Sequence, residues 1–330
     1  MLTKVSDFIY FPKEVATIAA KHKVNMLFAH GAPSGALAYK VWKSTKLPYY
    51  VTLFEPHAAY MLDSGIWNRY GLKFIFQKYW EAKQKKTAAG LIPVTYNYAK
   101  QLIGEGVPAT RMYVAPCAVD FDTFSFNEQQ RNRVREVLKW QEKFIGIYVG
   151  KYGGLYLEQE AFKIYEECFR LIPSFRLIIL TPQPKEEIYT WLSAQSINSD
   201  SVFVGQVPHK EVPAWLSAAD LAFATYKAGQ SKAALSPVKI GEYWANGLPV
   251  LLTEGVGDDS DIIKREGGGA LFNLKQKGSV EKAITQVVNI IKDPQHRQEI
   301  PKLALKYRSL ERLQEAFDYF FGGAAAEDKV

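Results

Sequence analysis

Two cysteines in 330 residues, Cys117 and Cys168, are too few and too far apart for a disulfide scaffold or a zinc site. Their scarcity points to a reducing, cytoplasmic setting. No apolar run reaches the length of about eighteen residues that a membrane-spanning helix needs. The opening, "MLTKVSDFIYFPKEV", lacks the basic-then-apolar order of a secretory leader. Neither G-x-G-x-x-G nor the Walker sequence occurs, so neither familiar glycine fingerprint marks a nucleotide site. The five histidines are scattered, and no Ser-His-Asp or Cys-His spacing suggests a nucleophile. Helix-turn-helix, zinc-finger and RNA-recognition signatures are also missing, which sets nucleic acid aside as a partner. The net charge of +7 and the pI of 9.1 then point to phosphate-bearing small molecules or an anionic membrane surface.

What is present reads as α/β. Hydrophobic content of 48% and length are enough for two cores. Apolar runs "NMLFA" (25–29), "YYVTLF" (49–54), "LIPVT" (91–95) and "RMYVA" (111–115) predict four strands in the first part. "FIGIYV" (144–149), "FRLIIL" (175–180), "SVFV" (201–204), "LAFAT" (221–225), "PVLLT" (249–253) and "GALF" (269–272) predict six more. Helix-length segments fill the gaps, the pattern of parallel sheets covered on both faces. The charged stretch 125–143 separates an amino-terminal domain (1–140) from a carboxyl-terminal one (141–304). A long helical pattern over about 305–321 is expected to cross back onto the first. With four strands against six and a helix-like opening, the first domain reads as shortened at its start. Two such units, facing each other, would place a ligand in the cleft between them.

Chemistry concentrates after the strands. In "GIYVGKYGGLYLEQEAF", Gly150, Gly153 and Gly154 would let backbone amides approach a ligand, with Lys151 beside them and a helix start following. A tight turn with a solvated lysine explains the same residues. "AGQSKAALSPVKIGEYWANGLPVL" brings Lys232, Ser236 and Lys239 to a helix start, Ser236 as N-cap and Pro237 at the first helical position. That suits a diphosphate, a flexible polar loop capped by Ser-Pro being the alternative, and Glu242 three residues on suits hydroxyl groups. Asp258, Asp259 and Asp261, and the D-x-D of "VDFDTF", have metal-like spacing. They read as a helix cap at Asp258 or Asp259 and as a turn, so no metal is expected. Just beyond the second strand, Glu55 and His57 form either a general-base pair or a structural turn. In "WNRYGLKFIFQKYWEAKQKK" (67–86), aromatics at helical spacing predict core packing. The lysines form a solvated face or one that touches anionic lipid.

Taken in series, these motifs resemble the group 1 (family 4) glycosyltransferases of GT-B fold, the bacterial surface-polysaccharide transferases among them. "SPVKIGEYWANGLPVL" is similar to the family's P-x-K-x-x-E-x-x-A-x-G-x-P-V, "IYVGKYGG" to its phosphate loop, and "VFVGQVPHKEVPAWLSAADLAFAT" to its base-binding stretch. "RMYVAPCAVDFDTF" is similar to its interdomain segment, and the likeness spans about residues 24–275. The resemblance implies Lys151 and Lys239 on the donor diphosphate, Glu242 on the ribose, and backbone near Val207 and Pro208 on the base. It also implies transfer with retention from a nucleotide sugar, with no cofactor beyond that co-substrate, to a glycan or lipid-linked acceptor. Three positions depart from the family pattern: Ala234 where a glutamate is usual, Tyr156 where a lysine is usual, and His57 displaced beyond Phe54 and Glu55. A sugar-nucleotide epimerase of the same fold and a non-catalytic sugar-nucleotide-binding subunit are the alternatives.

Overall fold

The computed structural model describes residues 2–322. These residues divide into two compact units: 2–116 with 229–236 and 311–322, and 117–228 with 237–310. Among the described residues no helix is long and apolar enough to cross a membrane.

The first unit runs α1 (Leu2–Lys21), β1 (Leu27–His30), α2 (Ala32–Thr45), β2 (Tyr49–Leu53), α3 (His57–Asp63), α4 (Leu72–Thr87), β3 (Gly90–Pro93) and α5 (Tyr96–Gly104). Its strands pair in parallel in the order β1-β2-β3, with Val51 opposite Ala29 and Leu91. Tyr49, Val51, Leu91, Tyr98 and Leu102 form its core. The fourth expected strand, 111–115, does not form. Tyr113 and Ala115 donate to the carbonyls of Leu91 and Pro93, but Pro93 has no N–H to return, and a single Leu91–Met112 bridge remains.

The expected role of 67–86 is corrected more sharply. The buried residues of α4 are Gln77, Glu81 and Gln84, while Leu72, Ile75, Phe76 and Tyr79 are exposed. Tyr70, Phe76 and Tyr79 face outward while Trp67, Phe74 and Trp80 are half-buried, because the inward face is taken by polar groups with specific partners. Glu81 accepts from the Ala58 backbone N–H at 2.9 Å and from Gln77 at 3.1 Å, and Gln84 donates to the Ala32 carbonyl at 2.7 Å. Burial raises the Glu81 carboxyl above its ordinary pKa.

The second unit runs α6 (Glu128–Leu138), β4 (Phe144–Val149), α7 (Gln159–Leu171), β5 (Phe175–Leu180), α8 (Lys185–Ala194), β6 (Val202–Gly205), α9 (Val212–Ala218), β7 (Leu221–Ala224), α10 (Val238–Ala245), β8 (Val250–Thr253), α11 (Asp259–Glu266), β9 (Gly269–Phe272), α12 (Ser279–Lys292) and α13 (His296–Arg308). All six expected strands form one parallel sheet in the order β6-β5-β4-β7-β8-β9. The order reverses between β4 and β7, the place where ligands of such sheets collect. Tyr148, Phe162, Tyr165, Phe175 and Phe223 fill the core on one side of the sheet. The charged stretch of α6 is anchored by its arginines. Arg131 and Arg135 each bond Asp220 at 2.7 Å, and Asp220 also accepts from the Ile145 backbone N–H at 2.8 Å.

The long carboxyl-terminal helical pattern is broken into α13 and α14 (Glu311–Phe321). Ser309 is extended because Arg308 is tied down. Its carbonyl accepts from Val119 N–H, and its guanidinium bonds the buried Asp259. Beyond the break, α14 packs within the first unit, with Phe317 stacked on Phe28 at 5.3 Å and Glu315 accepting from the Tyr113 hydroxyl.

Candidate functional site

Helix α10 carries the centre of the site. The sequence suggests Ser236 as its cap. Instead Pro237 occupies the capping position in extended conformation, and Ser236 is buried in the segment counted with the first unit. A proline side chain accepts no hydrogen bond, so the first-turn amides of α10 have no side-chain cap. At the far end Gly247 takes φ +70°, the left-handed stop its position predicts.

Lys239 sits in the first turn of α10. Its amine is buried and has no hydrogen-bond partner. It lies against Gly150 at the carboxyl end of β4, where an added Cβ would approach Nζ to 2.8 Å. Two tyrosine rings flank it, Tyr156 at 4.2 Å and Tyr148 at 5.0 Å from Nζ. Removal from water pushes the amine down to about 7, far below an ordinary lysine, against a small opposing pull from Glu242. A buried, unpartnered amine at a strand end of a parallel sheet is expensive unless an anion completes it.

The glycine loop is built as its composition requires. Gly150, Gly153 and Gly154 have φ of +135°, +85° and +61°, conformations that L side chains rarely adopt. Lys151 is exposed, and its carbonyl accepts from the Tyr148 hydroxyl at 2.6 Å. The helix expected directly behind the glycines begins only at Gln159. Residues 155–158 intervene, with buried Leu155 and Leu157 and a Tyr156–Tyr226 bridge, and Glu158 flanks the helix start, paired with Lys227. An acidic residue there makes the start of α7 a poor anion site.

Glu242 is largely buried one turn along α10, and burial raises its carboxyl above the ordinary range. Its Oε1 lies 3.4 Å from Nε2 of His209, a largely exposed side chain. His209 follows Val207 and Pro208 directly, so the residues expected at the base and the ribose come together in this unit. His209, Tyr148 and Tyr156 are the residues that sequence reasoning did not assign to the site. Tyr156 stood out only as a missing lysine, and its ring now covers the Lys239 amine.

The acidic clusters hold to structural tasks. Asp120 accepts from Asp122 and Thr123 in a turn. Of the two residues expected to cap α11, Asp258 occupies the capping position and Asp259 pairs with Arg308, while the Ser260 hydroxyl accepts from Gly255 and Val256 at the helix entry.

In the first unit Glu55 and His57 form a hydrogen-bonded pair at 2.9 Å, with Trp67 edge-on to the imidazole at 5.7 Å. Lys232 lies in the short turn Ser231–Ala234 of this unit, where Asp63 accepts from the backbone N–H and hydroxyl of Ser231, each at 2.7 Å. A cavity of about 1030 Å³ opens nearby, lined by Pro56, Ala58, Lys78, Glu81 and Arg111 among others.

A family model described as glycosyl transferases group 1 matches residues 144–293. No curated protein matches the chain in sequence. Sucrose-phosphate synthase of Thermosynechococcus elongatus superposes with a TM-score of 0.72 at 17% identity, over 96% of this chain and 78% of that one. HepE of Anabaena in complex with UDP gives 0.70 at 13% identity, over 97% and 82%. The apo form of the lipopolysaccharide outer core galactosyltransferase WaaB gives 0.65 at 13% identity, over 98% and 82%. These likenesses show the fold, two parallel α/β units of the GT-B kind. The match to the group 1 glycosyl transferase model falls on the second unit, over residues 144–293, which hold the glycine loop, Lys239 and Glu242.

Proposed function

We propose that the chain transfers a sugar from a nucleoside-diphosphate sugar to a hydroxyl of a glycan or lipid-linked glycan, in the assembly of cell-surface polysaccharide at the inner face of a membrane. The observation that carries this reading is the buried Lys239 amine against Gly150, a cation site with no counter-charge in hydrogen-bond reach. HepE structures hold UDP and UDP-glucose, and a donor of that chemistry supplies what Lys239 lacks.

In this proposal Lys239, with Lys151 and the glycine-loop amides, holds the diphosphate. Glu242 turns from His209 to the ribose hydroxyls, and backbone near Val207 and Pro208 meets the base. Breaking the bond between the anomeric carbon and the phosphate oxygen leaves new negative charge on the diphosphate. A fixed ammonium stabilises that charge more in the transition state than before it, and so takes the part a metal ion plays elsewhere. Retention follows if the departing phosphate itself removes the acceptor proton. Glu55 and His57 are the acceptor-side candidates.

Thermal-shift screening of wild type and Lys239→Ala against UDP-, GDP- and other nucleotide sugars tests the site, followed by hydrolysis of the best donor. Equal donor affinity in the two proteins removes it. Donor binding with neither hydrolysis nor transfer favours a non-catalytic subunit.

A further inference from the structure

Helix α4 is inverted. A helix on a water-soluble surface turns its apolar stripe inward. Here Gln77, Glu81 and Gln84, spaced four and three apart, point in, and Leu72, Ile75, Phe76 and Tyr79 form the outward stripe. The turn before it adds Ile66 and Tyr70, and Leu72 and Tyr70 are each 86% exposed, the most exposed apolar side chains in the described chain. The stripe continues onto α1. Phe8 packs on Phe76 at 5.3 Å and on Trp80 at 5.1 Å, and the residues after it, Ile9, Tyr10 and Phe11, are exposed. The patch is also of one sign. Between residues 65 and 87 the only acidic residue is Glu81, which is buried, while Arg69, Lys73 and Lys78 are exposed around the stripe. Lys83 lies 5.1 Å over the Tyr79 ring.

We infer that the outer face of α4, with the neighbouring turn of α1, docks on an anionic lipid bilayer. This deepens the proposed function, from which it takes only a membrane-bound acceptor. Apolar and aromatic side chains between cations match the interface of such a bilayer, where the rings enter the headgroup region and the lysines meet lipid phosphates. A second copy of this chain is the wrong occupant, because it brings the same cations to the same face and repels. With Leu72, Ile75, Phe76 and Tyr79 exposed, insertion exchanges them from water to acyl chain without disturbing the core.

The test is co-sedimentation of the full chain with vesicles of phosphatidylcholine alone and of phosphatidylcholine mixed with phosphatidylglycerol. The wild type is expected on the mixed vesicles, at least tenfold more weakly on the neutral ones, and weakened by salt. Leu72→Asp with Ile75→Asp, and separately Lys73→Glu with Lys78→Glu, are expected to lower mixed-vesicle binding at least tenfold. All four positions are exposed, so unchanged melting temperatures are expected. Equal binding to the two vesicles, variants that bind like wild type, no binding at all, or lipid-free self-association abolished by the same variants each overturns the inference. Donor binding, measured by thermal shift in the same variants, stays at the wild-type level whichever way the lipid result falls. Failure of the lipid surface is thereby distinguished from failure of the transferase reading.

Discussion

Nζ of Lys239 lies so close to Gly150 that the smallest possible side chain there would come within 2.8 Å of it. The amine is buried with no protein acceptor in hydrogen-bond reach, and in the function proposed above a phosphate oxygen takes that place beside the glycine backbone.

Replacing Lys239 by Met is expected to separate stability from binding. The methionine keeps the contacts with Tyr148 and Tyr156 and removes an amine whose charge burial disfavours. The free protein should melt at a higher temperature, while affinity for the best nucleotide sugar falls at least about tenfold, the loss of one charge-assisted bond. Differential scanning calorimetry and titration calorimetry read the two effects. A lower melting temperature with intact affinity contradicts the arrangement.

The pH dependence follows from the same amine. Free Lys239 titrates at about 7, and a bound diphosphate raises that value. Below pH 7 the amine is charged in free and bound protein alike, so affinity is flat. Above it, binding must take up a proton, and affinity should fall by up to about tenfold per pH unit until the bound-state value is passed. Titrations in buffers of different ionisation heat should show proton uptake at pH 8 that is absent in Lys239→Met.

Gly150→Ala tests the loop. At φ +135° an alanine is strained by about 1–3 kcal/mol, and its methyl displaces the lysine amine. Weaker donor binding together with a lower melting temperature is expected. By contrast, Asp261→Ala, on the exposed side of α11, should leave donor affinity unchanged.

Asp220→Asn addresses the fold alone. Asp220 takes ion pairs from Arg131 and Arg135, with Arg297 at 3.7 Å, and burial already lowers the Arg135 and Arg297 guanidinium values. Leaving buried arginine charge without its carboxylate should cost about 3–5 kcal/mol in urea unfolding. Donor affinity of the folded fraction should be retained, since none of these residues touches α10's first turn.

The sequence alone determined the six strands of the second sheet, the glycines of the loop and the helix of Lys239. Each depends on short-range patterning: continuous apolar runs, left-handed positions, a proline at a helix entry. It did not determine which residue meets which across the chain. That Tyr156 would cover Lys239, that His209 would meet Glu242 and that Asp259 would pair with Arg308 rather than cap its helix are contacts between distant segments, set by packing. Periodicity likewise found the α4 stripe but not its direction, because a 3.6-residue repeat reads the same whether the apolar face turns inward or out. Only the tertiary structure decided that, by filling the inner face with Glu81 and Gln84, whose hydrogen bonds require burial against Ala58 and Ala32.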